Sequence, residues 1–253
     1  MRMPAVCGVI DRRILLNYRV DAETLARCLP APFRPQLIDG YGVAGVCLIR
    51  LRNVRPVGAP AWIGLRSENA AHRIAVEWTE NGGVRNGVYV PRRVTSSRAT
   101  VLAGGRLFPG VHQHARFGVD EKNDRYQIRI DSDDHQTTIE VDACATDASF
   151  QSGLFSTLDD ASRFFLSGSC GYSPALRQNE FEGLELDCDR WPVQPLRVSA
   201  VRSSFFDDPE RFPPGTVEFD CALLMRDVPH RWRQLDNIHS RQTSGLNELQ
   251  SAC

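Results

Sequence analysis

An alternation of apolar and polar residues with a period of two is the feature that most limits how this 253-residue chain can fold. The alternation is clearest in the segments 125–130 and 138–143. It is typical of half-exposed antiparallel strands, because successive side chains of a strand point to opposite faces. Similar short apolar runs, separated by Gly, Pro and Asp turns, recur along most of the chain. The sequence therefore predicts a mainly β domain of the α+β class rather than alternating β and α units.

Only a few short helices are predicted. Each begins with a residue that can cap a helix and meets a proline or glycine at its end. These segments are 21–30, 95–105 and 157–168. Asn81-Gly82 provides the positive-φ positions of a tight turn and predicts a hairpin. The predicted strands outside the two alternating segments are 42–52, 74–78, 85–90, 196–206 and 216–225.

The composition is that of an ordinary globular protein. Hydrophobic residues make up 42% of the chain and charged residues 24%, and the formal net charge is -1. We expect one domain over residues 1–238, followed by a polar tail over 239–253. The arginines are dispersed among acidic residues, and no nucleic-acid-binding motif accompanies them. No nucleic-acid partner is therefore expected.

The cysteines and the start of the chain bear on its location. Eight cysteines are scattered without a CxxC pair, and several lie in apolar, strand-like runs. Cys47, in such a run, is interpreted as a small buried hydrophobe. The first residues lack the apolar segment of a signal peptide, and no apolar stretch reaches the roughly 18 residues of a membrane span. We expect a cytoplasmic protein with reduced thiols and no membrane partner.

The segment 105–115 reads GRLFPGVHQHA and resembles the active-site signature G-R-E-x-x-G-x-P-K-K of acetoacetate decarboxylases. The residues that match are Gly105, Arg106 and Gly110. The Pro-Lys-Lys of the signature is replaced by His112, Gln113 and His114. In that family the first lysine forms a Schiff base with a ketone. Gln113, at this position, cannot do so.

No other lysine replaces the missing one. The chain has a single lysine, Lys122, against 29 arginines. Lys122 lies in the polar run 119–124, which is predicted to be a loop between strands. In such a loop the ammonium group is solvated, as exposed loops generally are. The sequence therefore predicts that Schiff-base catalysis by lysine is absent.

Further segments extend the resemblance over residues 10–235. They are similar to the DUF2071, or YqjF-like, family, which is grouped with the acetoacetate decarboxylase-like superfamily. The segments are 12–20, 29–30, 39–40, 191–192 and 203–206. The resemblance implies an acetoacetate decarboxylase-like antiparallel β-barrel with a few short helices and a central cavity. Fold alone does not determine function, so the ligand must be argued from the site.

The resemblance also suggests site residues. Glu68 stands where the decarboxylases have a glutamate that faces the bound ketone, so it is a candidate acid or base in the cavity. The alternative is a surface glutamate in a polar turn. Arg106 is a candidate for bidentate binding of a carboxylate, or it ties the helix end to a neighbouring acid. Gln113 is a candidate ligand-binding residue.

His112 and His114 are separated by one residue, so both point to the same side of a regular strand. This spacing is used by paired metal ligands, with Glu68 or His72 as a candidate third ligand. The alternative is a pair of structural histidines, and no metal is assigned. If Gln113 points into the cavity, both histidines point away from it unless a bulge intervenes.

The sequence predicts a protein that binds a small carboxylated or carbonyl-containing molecule without a Schiff-base lysine. Whether it is an enzyme is left open. A lyase or hydrolase would use acid–base catalysis by Glu68 with His112 or His114. The alternatives are a non-catalytic binding or sensing protein, and a metal-dependent lyase or hydrolase built on the two histidines. No cofactor is predicted, since phosphate-loop and dinucleotide fingerprints are absent. The resemblance allows a homo-oligomer.

Overall fold

The computed structural model describes residues 5–105 and 108–240. Within these ranges fourteen strands form one hydrogen-bonded sheet. The strands are β1 Val6–Asp21, β2 Arg34–Pro35, β3 Leu37–Ile38, β4 Tyr41–Pro56, β5 Leu65–Glu80, β6 Gly83–Thr95, β7 Gln113–Lys122, β8 Arg125–Ser132, β9 Thr138–Ala145, β10 Cys170–Pro174, β11 Glu180–Asp187, β12 Gln194–Ser203, β13 Val217–Gln234 and β14 Ile238–His239. The helices are α1 Ala22–Arg27, α2 Arg98–Ala103 and α3 Leu158–Ser167, with a 3₁₀ turn at Ala61–Ile63. The predicted mainly β fold with a few short helices is confirmed.

The sheet returns on itself in two circuits. Starting from β6, hydrogen-bonded neighbours run through β7, β8, β9, β12, β13, β1, β4 and β5, and β5 pairs again with β6. A smaller circuit shares β13, β1, β4, β5 and β6 and is completed by β10 and β11. The joins of β6 to β7 and to β10 are parallel, and each covers two residue pairs. The predicted antiparallel sheet is thus present, but its circuits do not form a regular barrel, and these two short joins are parallel.

The strands shared by both circuits are buried on both faces. On β1, Leu15 and Leu16 are adjacent and are 1% and 0% exposed. Leu16 belongs to the main core, with Ile128 and Ile139 of the larger circuit. Leu15 packs on the other face, in a second core that includes Phe165 of α3. Apolar residues are therefore continuous along β1 and β4, because each of these strands separates two apolar compartments.

The local signals for helices and turns are confirmed. Asp21 accepts a hydrogen bond from the amide of Thr24 at 2.8 Å, and Thr157 accepts one from the amide of Asp160 at 3.1 Å. These bonds satisfy amides that have no partner inside the helix. Ser97, rather than Thr95, caps α2. The turn after β5 has positive φ at Asn81 and Gly82, as expected for this hairpin.

Two local predictions were wrong. The polar run 119–124 is not a loop, because β7 continues to Lys122 and only Asn123 and Asp124 form the turn to β8. The predicted tail begins inside β14, which contains His239. The remainder of that tail, residues 241–253, lies outside the described residues. None of the described helices has the length and apolar character needed to span a membrane.

Candidate ligand-binding cavity

A cavity of about 460 Å³ lies within the smaller circuit of strands. Ligand cavities of proteins commonly measure about 300–1,000 Å³, so its size suits a small organic molecule. Residues of β1, β4, β5, β6, β10, β11 and β13 line it, together with residues of α2. Much of the wall is apolar, including Ile49, Leu51, Val90, Leu184, Trp191 and Trp232. No aspartate or glutamate is present among the described residues that line the cavity.

Strand register places three arginines on this wall. Cys47 of β4 pairs with Ala71 of β5, and Ala71 pairs with Arg93 of β6. Directly paired residues share a face, so Cys47 and Arg93 lie in one row on the cavity side. Arg73 is two residues from Ala71 and therefore on the same face of β5. Arg13 of β1 has the same relation to Leu15, the partner of Cys47 on that strand. We call Arg13, Arg73 and Arg93 the arginine cluster.

Arg13 makes a polar contact with a thiol. Its Nε donates a hydrogen bond to Sγ of Cys47 at 3.2 Å. The guanidinium group also lies over the ring of Trp191, 4.9 Å from the ring centre. Its Nη1 is buried and has no hydrogen-bond partner in the described part of the chain. Arg13 therefore keeps unused donor capacity beside the cavity.

Arg73 is the most deeply buried member of the cluster, at 4% exposure. It donates to Oδ1 of Asn17 and lies over the ring of Phe165 at 4.6 Å. Burial, opposed by Cys47 and aided by the nearby charge of Arg13, lowers the pKa of Arg73 to about 10. A Cβ on Gly45 would lie 3.4 Å from Nη2 of Arg73, and 2.2 Å from the carbonyl oxygen of Leu16. A glycine at this position is therefore required by the close approach of the β1 backbone, and the guanidinium group of Arg73 packs beside it.

Arg93 completes the cluster on β6. Its Nε donates a hydrogen bond to Oγ of Ser173 at 2.8 Å. Burial lowers the pKa of Arg93 to about 10, while the charge of Glu182 opposes that shift. Among the described residues, none of the three cluster arginines forms an ion pair with a carboxylate. Buried charge without a partner is unfavourable, so this concentration of positive charge favours an anion from outside the protein.

Among the predicted site residues that the structure describes, His112 lines the cavity. Its Nδ1 lies 2.9 Å from the carbonyl oxygen of Gly110, which can only accept, so Nδ1 carries the hydrogen and Nε2 has the lone pair. Burial lowers the pKa of His112 to about 4, and Arg93 lowers it further. Gly110 has φ +86°, and a Cβ on Gly104 would lie 2.8 Å from Nδ1. Gly104 and Gly110 thus leave room for the ring of His112, which is a neutral hydrogen-bond acceptor.

The other predicted site residues lie elsewhere. Glu68 is on β5 but on the face opposite the cavity, where its carboxylate accepts hydrogen bonds from Arg12 and Arg50. The expected orientation of Glu68 into the cavity is therefore wrong, and its catalytic role stays a prediction. His114 bonds through Nδ1 to Asp133 at 2.8 Å. Gln113, the first residue of β7, is half-buried and is not among the lining residues.

The remaining candidates either lie outside the described residues or are absent from the described lining of the cavity. Arg106 lies outside the described residues. His112 precedes β7 and His114 lies within it, and their side chains have separate partners. His72, the other suggested metal ligand, bonds to Ser203 at 3.0 Å. The described residues contain no group of three metal-ligating side chains. The structure therefore does not bring together the ligands of the suggested metal site.

The arginine cluster was not predicted from the sequence. Its members are separated by up to 80 residues and come together only through the pairing of β1, β4, β5 and β6. The neighbouring residues give no local signal of the cluster, because Arg13 follows Asp11 and Arg12, and Arg73 follows His72.

The sequence comparison places the chain in a family. The profile of DUF2071, described as an uncharacterized conserved protein, matches residues 10–219. The chain belongs to the DUF2071 family. The resemblance noted from the sequence is thus confirmed. A search of curated proteins gave no match.

Solved structures show that this DUF2071 chain has the acetoacetate decarboxylase-like fold. Acetoacetate decarboxylase from Legionella pneumophila matches with a TM-score of 0.58 at 9% identity, over 93% of this chain and 88% of that one. An acetoacetate decarboxylase-like enzyme from Sphingomonas wittichii RW1 gives 0.55 at 15% identity, over 93% and 94%. The enduracididine biosynthesis enzyme MppR, complexed with pyruvate, gives 0.55 at 13% identity, over 93% and 91%. At these identities the likeness shows the fold alone.

Proposed function

We propose that this DUF2071 protein binds a small organic carboxylate with an apolar body in the cavity of the smaller circuit. One observation carries the proposal: four arginines, the three of the arginine cluster and Arg55, line a cavity whose described lining contains no aspartate or glutamate. A guanidinium group binds a carboxylate through two parallel hydrogen bonds, and this binding is strongest where water is excluded. An anionic ligand would give the arginine cluster the partner that the described residues lack.

The apolar part of the wall supports the rest of the proposed ligand. Leu51, Leu184 and Trp232 offer contact surface to carbon atoms, and His112 offers a neutral acceptor at Nε2. A cavity with mostly apolar walls and a few converging polar groups is the usual form of a small-molecule site. The related fold of MppR holds pyruvate in its own structure, which agrees with a small carboxylate as the class of ligand.

The proposal includes the absence of lysine Schiff-base chemistry. Lys122 is 77% exposed, contacts Asp120 and is not among the cavity-lining residues. Borohydride reduction in the presence of acetoacetate or pyruvate is therefore expected to leave no covalent adduct. A stable mass increase on the peptide that contains Lys122 would overturn this part of the proposal.

The binding proposal is tested by thermal shift and calorimetry with pairs of ligands that differ only in charge. Pyruvate, acetoacetate and larger apolar carboxylates are compared with the corresponding amides. A carboxylate present at 100 times its Kd is expected to stabilise the protein by about 2.7 kcal/mol. The amides are expected to have no effect. Equal stabilisation by carboxylates and amides would contradict the proposal.

A matched pair of variants connects binding to the cluster. Arg93→Gln removes one positive charge from the cavity and is expected to weaken carboxylate binding by about 1.5–3 kcal/mol, or roughly ten- to hundredfold. Arg52→Gln removes the same charge from an exposed position that pairs with Asp227. Binding to this control is expected to equal binding to the unaltered protein. If both variants bind equally well, the carboxylate lies elsewhere.

The geometry favours binding over the acid–base mechanism suggested by the sequence. That mechanism requires Glu68 to act with a histidine, but Glu68 faces away from the cavity and is held by Arg12 and Arg50. His112 lines the cavity without a carboxylate of the described lining beside it. A binding or sensing protein therefore needs no group beyond those that the structure places at the cavity.

A further inference from the structure

We propose that Cys47 is the nucleophile of the cavity and adds reversibly to small carboxylates that carry a carbonyl next to the carboxylate, the class of 2-oxo acids. This inference rests on the proposed function, because the arginine cluster must hold the carboxylate. It assigns Cys47 a chemical role instead of that of a small buried hydrophobe.

The first argument is the position of the sulfur. Four paired residues form a row across β1, β4, β5 and β6: Leu15, Cys47, Ala71 and Arg93. Cys47 lies between Leu15 and Ala71 in this row, and it lines the cavity. Its neighbour in that row, Ala71, has only a methyl group, so nothing bulky separates Cys47 from Arg93. Cys47 is 8% exposed. The thiol is thus protected from bulk solvent but lies on the wall of a space of about 460 Å³.

The second argument is the charge around the sulfur. Nε of Arg13 donates to Sγ at 3.2 Å. Arg73 and Arg93 also interact electrostatically with Cys47. Reactive cysteines are found in electropositive, partly accessible surroundings, because the thiolate is the nucleophile. Cys47 has such surroundings, and no carboxylate of the described lining opposes them.

The third argument identifies the reacting carbon. Arg13, which has spare donor capacity, also contacts the sulfur. A carboxylate held by this guanidinium group would therefore place its own α carbon next to Sγ. If that carbon is a ketone, it is the electrophile nearest to the sulfur. The geometry thus favours 2-oxo acids over carboxylates whose carbonyl is farther along the chain.

The addition is balanced without any further reactant. A bond forms between Sγ and the C2 carbon of the 2-oxo acid, and the π electron pair of the carbonyl moves to its oxygen. The proton of the thiol ends on this oxygen, so the product is a thiohemiketal. Nothing is oxidised or reduced, and the step is reversible. Guanidinium donors near the developing oxyanion would stabilise it, as electrostatic preorganisation does elsewhere.

The other described cysteines are internal controls. None of them lines the cavity. Burial raises the pKa of Cys221 to about 12, and burial also raises the pKa of Cys28, Cys170 and Cys188. A cysteine whose pKa is raised is less thiolate at neutral pH and reacts more slowly. Cys28, Cys170, Cys188 and Cys221 are therefore expected to react slowly, and Cys7 and Cys144 serve as controls because they lie outside the cavity lining.

The first test compares two alkylating agents of nearly equal size, anionic iodoacetate and neutral iodoacetamide. Rates are measured for each cysteine by mass spectrometry of peptides. We expect iodoacetate to label Cys47 faster than iodoacetamide by about tenfold or more, because a positive cavity concentrates anions. Pyruvate is expected to slow this labelling, and Arg13→Gln to abolish the preference. An unlabelled Cys47, or equal rates for the two reagents, would overturn the inference.

The second test follows the carbonyl directly. Pyruvate labelled with ¹³C at C2 is added to the protein, and its carbon spectrum is recorded. A thiohemiketal moves the C2 signal from the ketone region to a tetrahedral position that differs from that of pyruvate hydrate, whose signal is recorded without protein. The shifted signal is expected with the unaltered protein and is expected to be absent with Cys47→Ala. A shifted signal that persists in Cys47→Ala, or a ketone signal alone in the unaltered protein, would refute the addition.

The outcomes separate this inference from the proposed function. If pyruvate raises the thermal stability of the protein but Cys47 shows no anion preference and C2 stays a ketone, the binding function stands and the nucleophile is rejected. If Cys47 prefers iodoacetate but no carboxylate stabilises the protein in the thermal-shift panel, the positive cavity is shown and the stable binding function fails. Cys47→Ser, which retains the size and polarity of the side chain, controls for altered packing in both tests.

Discussion

Arg12 and Arg13 are neighbours on β1, yet they lie in opposite electrostatic environments. Arg12 is buried, with its side chain 3% exposed, and it donates to the carboxylates of Glu68 and Glu121. Arg13 faces the cavity, where its polar partner in the described structure is the thiol of Cys47. Successive side chains of a strand point to opposite faces, so a single step along β1 passes from one environment to the other.

The two environments use arginine for different purposes. Around Arg12 the charges form a nearly balanced set, which we call the ion-pair network: Asp11, Arg12, Arg50, Glu68 and Glu121. Each carboxylate there contacts at least one guanidinium group. In the arginine cluster three positive charges have no ion-paired carboxylate in the described structure. The paired charges of the ion-pair network stabilise the fold, whereas the arginines without a carboxylate partner are available to bind an anionic ligand.

The strongest test of this comparison is the replacement of Glu68 by alanine. The variant leaves Arg12 and Arg50 with one carboxylate fewer, and breaking a buried ion pair costs about 3–5 kcal/mol. Urea unfolding measures the decrease in the free energy of unfolding. Carboxylate binding by the folded variant is expected to be unchanged, because Glu68 faces away from the cavity.

Glu218→Ala is the matched control for Glu68→Ala. Glu218 also pairs with an arginine, Arg19, but its side chain is 68% exposed. An exposed ion pair contributes at most about 1 kcal/mol. If Glu68→Ala is as stable as this control but no longer binds carboxylates, Glu68 has the cavity role that the sequence predicted and the comparison fails.

The pair Arg12→Met and Arg13→Met compares the two faces most directly. Arg12→Met is expected to lower the free energy of unfolding by about 1.5–3 kcal/mol, because Glu68 and Glu121 lose charged hydrogen bonds but keep Arg50. Arg13→Met is expected to leave the unliganded protein as stable as before or more stable, since it replaces a half-buried charge that has no ion-paired carboxylate in the described structure with an apolar side chain on a mostly apolar wall.

The order of the two variants is expected to reverse when their responses to a carboxylate ligand are compared instead of their stabilities. A carboxylate should still raise the melting temperature of Arg12→Met and should raise that of Arg13→Met much less. One thermal-shift series, recorded with and without the carboxylate, gives both the melting temperature of each unliganded variant and its shift on ligand binding. Equal destabilisation by both substitutions would show that Arg13 has a structural partner and is not held ready for an anion.

Acid sensitivity sharpens the comparison through a buried side chain, His72, that stays neutral in the folded protein. Burial lowers the pKa of His72 to about 3, and the arginines Arg92 and Arg211 lower it further. At neutral pH the residue is neutral in both folded and unfolded chains. As the pH falls below the unfolded value of about 6.5, the unfolded chain binds a proton that the folded chain refuses. Stability is therefore lost as the pH falls from about 6.5 towards 3.

For His72, the free energy of unfolding is expected to fall by about 1.4 kcal/mol for each pH unit in this window. His112 and His230 add to this slope, because their pKa values are also lowered. The ion-pair network responds only at lower pH, since Arg12 and Arg50 hold the pKa of Glu121 below its ordinary value despite burial. Urea unfolding at several pH values separates the two windows. A stability that is constant between about pH 6.5 and 5 would show that His72 is protonated in the folded protein.

Local features of the fold could be predicted from the sequence. The alternation in 125–130 and 138–143 identified β8 and β9, and the capping residues Asp21 and Thr157 identified two helices. These signals succeed because they depend on neighbouring residues and on backbone hydrogen bonds that form within a few positions.

The site depended on information that is not local. Glu68 and Ser67 are adjacent, but Ser67 lines the cavity and Glu68 does not. An error of one residue in register reverses the face of a strand, so a resemblance could not assign the direction of Glu68. The arginine cluster requires four strands to pair in the right order. The sequence also left open whether His112 or Gln113 faces the cavity, and in the structure it is His112 that lines it.

Lys122 provides the smallest expected effect and completes the contrast between exposed and buried cations. Its ammonium group is 77% exposed at the end of β7 and contacts Asp120 at 3.2 Å. Lys122→Gln is expected to change stability by less than about 0.5 kcal/mol, as surface substitutions usually do, and to leave carboxylate binding unchanged. Arg52→Gln, the other exposed cation variant, should behave in the same way. Loss of carboxylate binding or of the C2 signal of pyruvate in Lys122→Gln alone would mean that this lysine, and not the arginine cluster with Cys47, contacts the ligand.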